Sequence, residues 1–422
     1  MTHTRRLSFA SIALASALLL SACGAAATPT AVPPKPTDAP KPTEAPKPTD
    51  APKPTDVPKP AATAVPPTAT AVPPTATPVP KPTEMPPCGD KSKLSKTLSL
   101  YNWSDYVADG VLTAFAKECG VKVAIDNYDD NESLFAKFQA GGNPGYDLVV
   151  PSDYMVEKMV AAGMLLKIDY ANVPNVANLD PTHRNLYFDP KSEYSVAYFW
   201  GTTGIAYDTA KIKREITSWK DLLEPAADIQ GKIGMLNDQR EAIGAALRLK
   251  GFSANSVDAA QIDAAKNVLV AQKKFVKGYY SSVDNRANLV AGDVSIAMLY
   301  TGDAINATAE KSSIKYIIPN DVTTVWQDNL AIPKGGKNKY TAEIFINFLL
   351  RPDIAAINAN DKKFPTPNAE AVKKNLVDKA LIANPAIYPD VAGLGKKLEY
   401  LVRGDAKSQA LYDKAWTAVG VQ

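Results

Sequence analysis

The sequence predicts an α/β protein of two lobes, each a mostly parallel sheet flanked by helices, carried on a long tail that does not fold. Three observations predict it. Of the 34 prolines in 422 residues, 21 fall between Pro29 and Pro87, so the chain beyond has the proline frequency of ordinary globular protein. Short β-type runs alternate with helical patterns through that remainder, which argues parallel strands joined by helical crossovers. Its 335 residues, 88–422, exceed what one core usually holds, and two lobes follow.

At the N-terminus, Arg5 and Arg6 precede an apolar run from Leu7 to Leu20, too short to span a bilayer comfortably and ending in small residues. This is the build of an export signal over residues 1–22. The run closes as Leu20-Ser21-Ala22-Cys23-Gly24. That segment resembles the lipobox of bacterial lipoproteins, and the resemblance implies that Cys23 is acylated and anchors the chain to a membrane. Residues 23–90 are rich in Ala, Pro and Thr, with Lys-Pro-Thr-(Asp/Glu)-Ala-Pro units around Lys35, Lys41 and Lys47. Proline withholds a backbone donor and little here can be buried, so the segment is expected to be a disordered spacer. Extended, it reaches on the order of 3 Å per residue.

Two further cysteines follow: Cys88 precedes the first strand and Cys119 ends the first helix. A helix that runs antiparallel to the strand before it ends where that strand began. In an exported chain, a Cys88–Cys119 disulfide is the expectation.

In the globular part, strands are predicted at Leu98 to Asn102, Val121 to Ile125 and Tyr146 to Val150. Helices alternate with them near Tyr106 to Lys117, Glu132 to Ala140 and Tyr154 to Ala162. A second set has strands near Ser195 to Phe199, Lys232 to Leu236, Val294 to Tyr300 and Ile314 to Ile318. Its helices lie near Arg240 to Lys250, Asp258 to Phe275 and Ala304 to Lys311.

Charge and histidine content exclude much. Residues 88–422 hold 39 basic and 39 acidic side chains, without the basic excess that holds nucleic acid. Only His3 and His183 exist, so a multi-histidine metal centre is impossible and a histidine triad would need His183, which sits in a polar stretch and reads as a surface residue. Neither a cofactor nor a metal is expected.

In sheets of this kind ligands bind beyond the carboxyl ends of the strands. Those junctions read Tyr101-Asn102-Trp103-Ser104-Asp105-Tyr106, Val150-Pro151-Ser152-Asp153-Tyr154, Asn237-Asp238-Gln239-Arg240-Glu241, Tyr300-Thr301-Gly302-Asp303 and Val325-Trp326-Gln327-Asp328. Acids and aromatics recur together, the composition that surrounds a slender organic cation: carboxylates pair with its ammonium groups, and rings cover its methylenes. Taken singly, each residue has a plainer reading. Asp238 with Glu241 forms a capping box, Asp105 and Asp303 suit N-cap positions, and Trp103, Tyr154, Tyr300 and Trp326 suit a core.

Several collinear blocks decide between the readings. These are Tyr101 to Tyr106, Tyr146-Asp147-Leu148-Val149-Val150-Pro151-Ser152, Trp326-Gln327-Asp328-Asn329-Leu330-Ala331-Ile332-Pro333, Ile346-Asn347-Phe348-Leu349-Leu350-Arg351-Pro352-Asp353 and Pro365-Thr366-Pro367-Asn368. From Leu98 onward the chain resembles the spermidine/putrescine-binding proteins of bacterial ABC importers. The resemblance implies a type II-like periplasmic-binding-protein fold, hinged on crossing strands near Trp200 to Ile205 and Asp328 to Ile332. Lobe 1 would hold 95–203 plus 329–364, and lobe 2 would hold 204–328 plus 365–422. It implies ligand contacts from Trp103, Ser104, Asp105, Tyr106, Ser152, Tyr154, Asp238, Glu241, Tyr300, Asp303, Trp326 and Asp328. One amine would be held by Asp238 and Glu241 or by Asp303, another by Asp328 or Asp105.

The chain departs from the spermidine-preferring members at Tyr300, where they carry tryptophan, and at Leu401, where they carry glutamine. Gly302-Asp303, Asn384 to Pro389 and Ala415-Trp416 look more like putrescine-preferring members, so putrescine stands slightly ahead. The expected function is polyamine capture outside the cytoplasm by a monomer that is no enzyme, with delivery to an ABC permease. The competing readings are a binding protein of the same fold for ferric ion or a sugar, and an anchored carboxylate hydrolase. A carboxylate pair three residues apart on one helix serves capping better than attack across a sugar.

Overall fold

The computed structural model describes residues 86–420; the export signal, Cys23 and nearly all of the 23–90 spacer lie outside the described residues. The first segment supplies β1 (Thr97–Trp103), α1 (Asp109–Cys119), β2 (Lys122–Tyr128), α2 (Asn131–Gly141), β3 (Leu148–Val149), α3 (Asp153–Ala161) and β4 (Leu165–Leu166). A long strand, β5 (Ser195–Asp208), leads to α4 (Lys220–Leu223), β6 (Ile233–Leu236), α5 (Gln239–Leu249), α6 (Ala259–Gln272) and β7 (Val276–Tyr280). Helix α7 (Ser282–Ala291), β8 (Ile296–Tyr300), α8 (Thr301–Glu310) and β9 (Ile314–Ile317) follow. A second long strand, β10 (Thr323–Pro333), precedes α9 (Lys339–Leu349) and α10 (Pro352–Lys362). The chain continues through α11 (Ala369–Lys373), α12 (Lys379–Ile382), α13 (Val391–Leu394), β11 (Leu398–Glu399) and α14 (Ala406–Val419).

The strands hydrogen-bond in the order β2-β1-β3-β10-β5-β8-β6-β7. Pairing is parallel toward both ends, where β1 joins β2 and β3 and where β6 joins β7 and β8. It is antiparallel in the middle, around β5 and β10. Two pieces that the sequence separates, Ser195 to Phe199 and Trp200 to Ile205, are one continuous strand with every residue buried. Ser195 to Thr202 pair with β10, and Thr203 to Tyr207 pair with β8. The register with β10 shifts between Asp328 and Asn329, a bulge at the middle of the seam.

Strand periodicity places a core on each face. In β1, Leu98 and Leu100 join one apolar cluster with Val111, Phe115 and Phe345, whereas Tyr101 packs in another with Leu134 and Met155. In β8, Ile296 and Met298 pack with Ile243, Leu269 and Tyr412, while Ala297 and Leu299 pack with Leu289 and Ile305. Both ends of the sheet are therefore covered by helices on two sides.

Three local readings are corrected. Helix α1 begins at Asp109 rather than near Tyr106, because Asp105 takes φ +52°, a left-handed turn that keeps Ser104 to Ala108 out of the helix, and Ala108 occupies the N-cap. Asp303 lies in the first turn of α8, whose N-cap position is Tyr300. His183 is half-buried, not a free surface group: its Nδ1 stands 2.8 Å from Gln327 Oε1, and its ring packs 5.2 Å from Trp200. Cys88, in the segment that leads into β1, and Cys119, the last residue of α1, form a disulfide with Cα atoms 5.4 Å apart. No helix among the described residues is long and apolar enough to cross a membrane.

Candidate functional site

Parallel strands deliver their carboxyl ends to one place, and a cavity lies there. Its wall takes Trp103, Ser104 and Tyr106 from the last residue of β1 onward; Tyr128, Asp129 and Asn131 from the last residue of β2 onward; Ser152, Asp153 and Tyr154 after β3; Asp238 and Glu241 after β6. Ser281, Ser282 and Val283 follow β7, and Tyr300 and Asp303 lie at the end of β8. The crossing strand β10 adds Trp326 and Asp328, and Phe364 and Leu401 complete the wall around about 660 Å3 of empty space, counted out to the mouth.

Aromatic faces form a continuous run across the cavity. Trp103 meets Tyr128 at 4.6 Å and Tyr300 at 6.4 Å, and Tyr300 meets Trp326 at 5.7 Å. Trp326 meets Phe364 at 5.9 Å. The Trp103 indole is fixed by donating to the Val150 carbonyl at 2.9 Å. Such a run offers apolar area and negative π-faces with little side-chain entropy to lose.

Between the rings stand buried carboxylates whose hydrogen-bond partners are neutral. Asp328 accepts from Tyr106 Oη and Ser152 Oγ, each at 2.6 Å. Asp238 divides its oxygens: Oδ1 accepts the Glu241 N–H at 3.0 Å and caps α5, and Oδ2 accepts from Tyr300 Oη at 3.0 Å. The capping box is thus only half made, for the Glu241 carboxylate turns away to accept from Thr324 Oγ1 at 2.8 Å. Asp153 accepts from the Tyr154 amide at 2.7 Å. Among the described residues none of these four forms an ion pair.

Burial without a direct ion pair raises their proton affinity, although Arg248, which shares Thr324 Oγ1 with Glu241, opposes the rise at that acid. Desolvation pushes Asp328 up to about 7, against the opposing hydrogen bonds from Ser152 and Tyr106. Desolvation and then repulsion from Asp238 push Glu241 up to about 7. Asp238 is raised by burial, and Asp153 is raised well above the ordinary carboxylate range for the same reason. Glu132, outside the cavity wall, presents both oxygens to Tyr154 Oη at 3.2 Å and is lifted to about 7 by burial and by Asp238.

The acids with cationic partners are handled differently. Asp105 is exposed and does not line the cavity; it is claimed by Lys362 Nζ at 2.6 Å and Arg286 Nη2 at 3.0 Å. Asp303 lines the cavity but has Arg286 Nη1 at 3.3 Å; desolvation still lifts it to about 6.

All the residues expected from the sequence except Asp105 therefore share one wall. Sequence reading omitted Tyr128, Asp129, Asn131, Asp153, Phe364 and the Ser281 to Val283 segment. For the residues after β2 a signal existed. The strand runs to Tyr128 rather than stopping at Ile125, which moves its carboxyl end onto Asp129-Asp130-Asn131-Glu132, another acid-rich junction. Arg240, between the capping residue and Glu241, stacks 5.2 Å from Tyr154 and 4.7 Å from Tyr412 and donates to the Val402 carbonyl, so its charge stays behind the wall.

The family model described as bacterial extracellular solute-binding protein matches residues 110–416. The spermidine/putrescine-binding periplasmic protein of Escherichia coli is 40% identical over 298 residues, 70% of this chain and 84% of that protein. Among solved structures, a spermidine/putrescine ABC transporter protein of Listeria monocytogenes is similar with a TM-score of 0.73 and 33% identity, over 77% of this chain and 99% of that one. A lipoprotein of Treponema pallidum is similar with a TM-score of 0.66 and 29% identity, over 76% of this chain and 99% of that one. With matches of this extent, the chain belongs to the bacterial extracellular solute-binding proteins and stands among their spermidine/putrescine-binding members.

Proposed function

We propose that this chain captures a polyamine, putrescine slightly ahead of spermidine, outside the cytoplasm and hands it to an ABC transporter permease. The observation that carries the reading is the set of buried carboxylates, Asp238, Glu241 and Asp328, that have only neutral partners and are interleaved with aromatic rings. An anion or a neutral sugar would leave these charges uncompensated, whereas a dication supplies what each lacks.

One ammonium pairs with Asp238 and Glu241 and the other with Asp328, while Trp103, Tyr154, Tyr300 and Trp326 cover the carbons between. Asp105 and Asp303, the other acids expected to hold an amine, already have cationic partners. Leu401, apolar on the cavity wall, offers no hydrogen bond to an additional amine and favours the shorter ligand. Closure brings together lobe 1 (95–203 and 329–364) and lobe 2 (204–328 and 365–422) about β5 and β10, and the bulge at Asp328 supports a hinge there. Acylated Cys23 and the 23–90 spacer tether the monomer to the membrane.

Isothermal titration with putrescine, spermidine, glucose and ferric citrate tests the reading. Saturable binding of the polyamines alone is the expected result. Binding of glucose or ferric ion with no response to either polyamine would overturn it.

A further inference from the structure

We propose that the end of the sheet opposite the cavity is a docking face for an anionic lipid surface, that of the membrane to which the chain is tethered, and that its lysines lay the globe on that membrane with the cavity held clear. The proposal rests on the tether reading above and is independent of which ligand the cavity takes. The cavity is built at the carboxyl ends of β1, β2 and β3, and the lysines gather at the other ends. Lys91, Lys93 and Lys96 precede β1, and Lys122 opens β2, its amide donating to the Lys96 carbonyl at 2.9 Å. Strand β10 runs antiparallel to β3, so the connection after it returns to the same end. There the Lys337 amide donates at 3.1 Å to Asp147, the residue before β3, and Lys334 lies in the same connection. All of these lysines are exposed. With the strands ordered β2-β1-β3-β10 and spaced about 4.8 Å apart, the row runs about 15 Å along the sheet end.

Among the described residues, Lys93 alone of this row has an ion pair, with Asp90 at 3.6 Å. The other acids at this end are taken: Glu118 by Arg351 at 2.6 Å, Glu343 by Lys339 at 2.6 Å, and buried Asp147 by the amides of Ser99, Lys337 and Asn338. In a globe with 39 basic and 39 acidic side chains, this is a local excess. At physiological salt a charge is felt over about 8 Å, so a flat surface dense in phosphate meets neighbouring lysines together, and each adds to the attraction. The way the chain leaves the globe decides which surface that is. Cys88 is bonded to Cys119 at the end of α1, and the Asp90 amide donates to Tyr340 Oη at 2.7 Å, so the chain N-terminal to residue 86 departs beside Lys91, from the basic face. A lipid on Cys23 keeps the globe close to the membrane, which raises the effective concentration of lipid phosphate at this face. Docked there, the globe keeps its cavity acids at the far ends of the strands, away from a surface that would repel them.

The test places the exported, acylated protein on vesicles of phosphatidylcholine alone or of phosphatidylcholine mixed with phosphatidylglycerol, and labels its lysines with a membrane-impermeant acylating reagent read by mass spectrometry. On the mixed vesicles, labelling of Lys96, Lys122 and Lys337 is expected to fall about fivefold or more, the factor that one lysine at such a surface supplies, and to recover at high salt. Lys277 and Lys315, exposed in the other lobe, should label equally on both. Reversing three neighbours together, Lys91→Glu, Lys93→Glu and Lys334→Glu, should restore the labelling of Lys96, Lys122 and Lys337. The same variant should keep the wild-type putrescine affinity, because none of the changed residues lines the cavity. Equal labelling on the two vesicle types, or protection as heavy at Lys277 and Lys315, would overturn the docking face. A protein that phosphatidylcholine vesicles fail to hold would count against the acyl group on Cys23, and one that binds no putrescine against the functional reading; the labelling contrast is read in either case.

Discussion

The inner acids and the outer acids of this cleft carry the same charge and live under opposite rules. Asp105 and Asp303 are matched by Arg286 and Lys362, whereas Asp238, Glu241 and Asp328 are given only hydroxyl and amide donors. Hydrogen bonds from neutral groups orient a carboxylate but do not replace the water lost on burial, so the inner acids carry an electrostatic cost that either a proton or a cation relieves. Elsewhere in the fold a buried charge does have an internal partner, as Arg248 has Glu399 at 3.2 Å. In the proposed function, the ligand supplies the counter-charge that the inner acids lack.

The largest test of this contrast is Asp328→Asn, expected to weaken putrescine binding by about 2–5 kcal/mol in a calorimetric titration, since a buried ammonium loses its partner. An unchanged affinity would place the amine elsewhere.

Next comes pH. The inner acids Asp328 and Glu241 have folded values of about 7, above their ordinary ones. Between about 4.5 and about 7 the folded, ligand-free chain therefore holds more protons than the unfolded chain, and its stability falls as pH rises. Asp105 works in reverse: Lys362 and Arg286 outweigh its desolvation and lower its proton affinity, so its contribution is present above about 4 and lost as pH falls through the folded value. Melting curves of the free protein should decline from pH 5 to pH 8. Those with saturating putrescine should not, and binding at pH 7 should release protons, seen as a buffer-dependent enthalpy. A free-protein melting temperature that climbs over that range would contradict the unpaired state of the inner acids.

A smaller effect is expected for Trp326→Leu, which removes one ring from the run and should cost about 0.5–2 kcal/mol in affinity. Asp105→Asn should be the mildest, within about 0.2–1 kcal/mol of the wild-type unfolding free energy in urea, because its ion pairs are partly exposed. A larger loss there than at Asp328 in binding would erase the distinction between inner and outer acids.

Much of the architecture is legible in the chain because it is local. Alternating β-type and helical runs locate β1, β3, β6 and β8, and the rule that ligands gather at strand carboxyl ends leads to Trp103, Ser152, Asp238 and Tyr300; Trp326 and Asp328, read from the sequence as another such junction, lie instead within the crossing strand β10. Local signals also mislead. Strand β7 follows α6 after one short turn, and a helical pattern read through Phe275 conceals it, along with the Ser281 to Val283 junction behind it. The unbroken β5 is read as two pieces because a strand buried on both faces shows no alternation to mark its extent.

By itself, the sequence determined the alternation of strand and helix and the pool of acids and rings at the strand ends. It does so because propensity, capping and periodicity act within a few residues. The tertiary structure alone decided which acids have cations: Arg286 reaches Asp105 across 181 residues, and Lys362 reaches it across 257. Pairing of charges depends on distances of a few ångströms between elements remote in the chain, and packing of the sheet and its helices sets those distances.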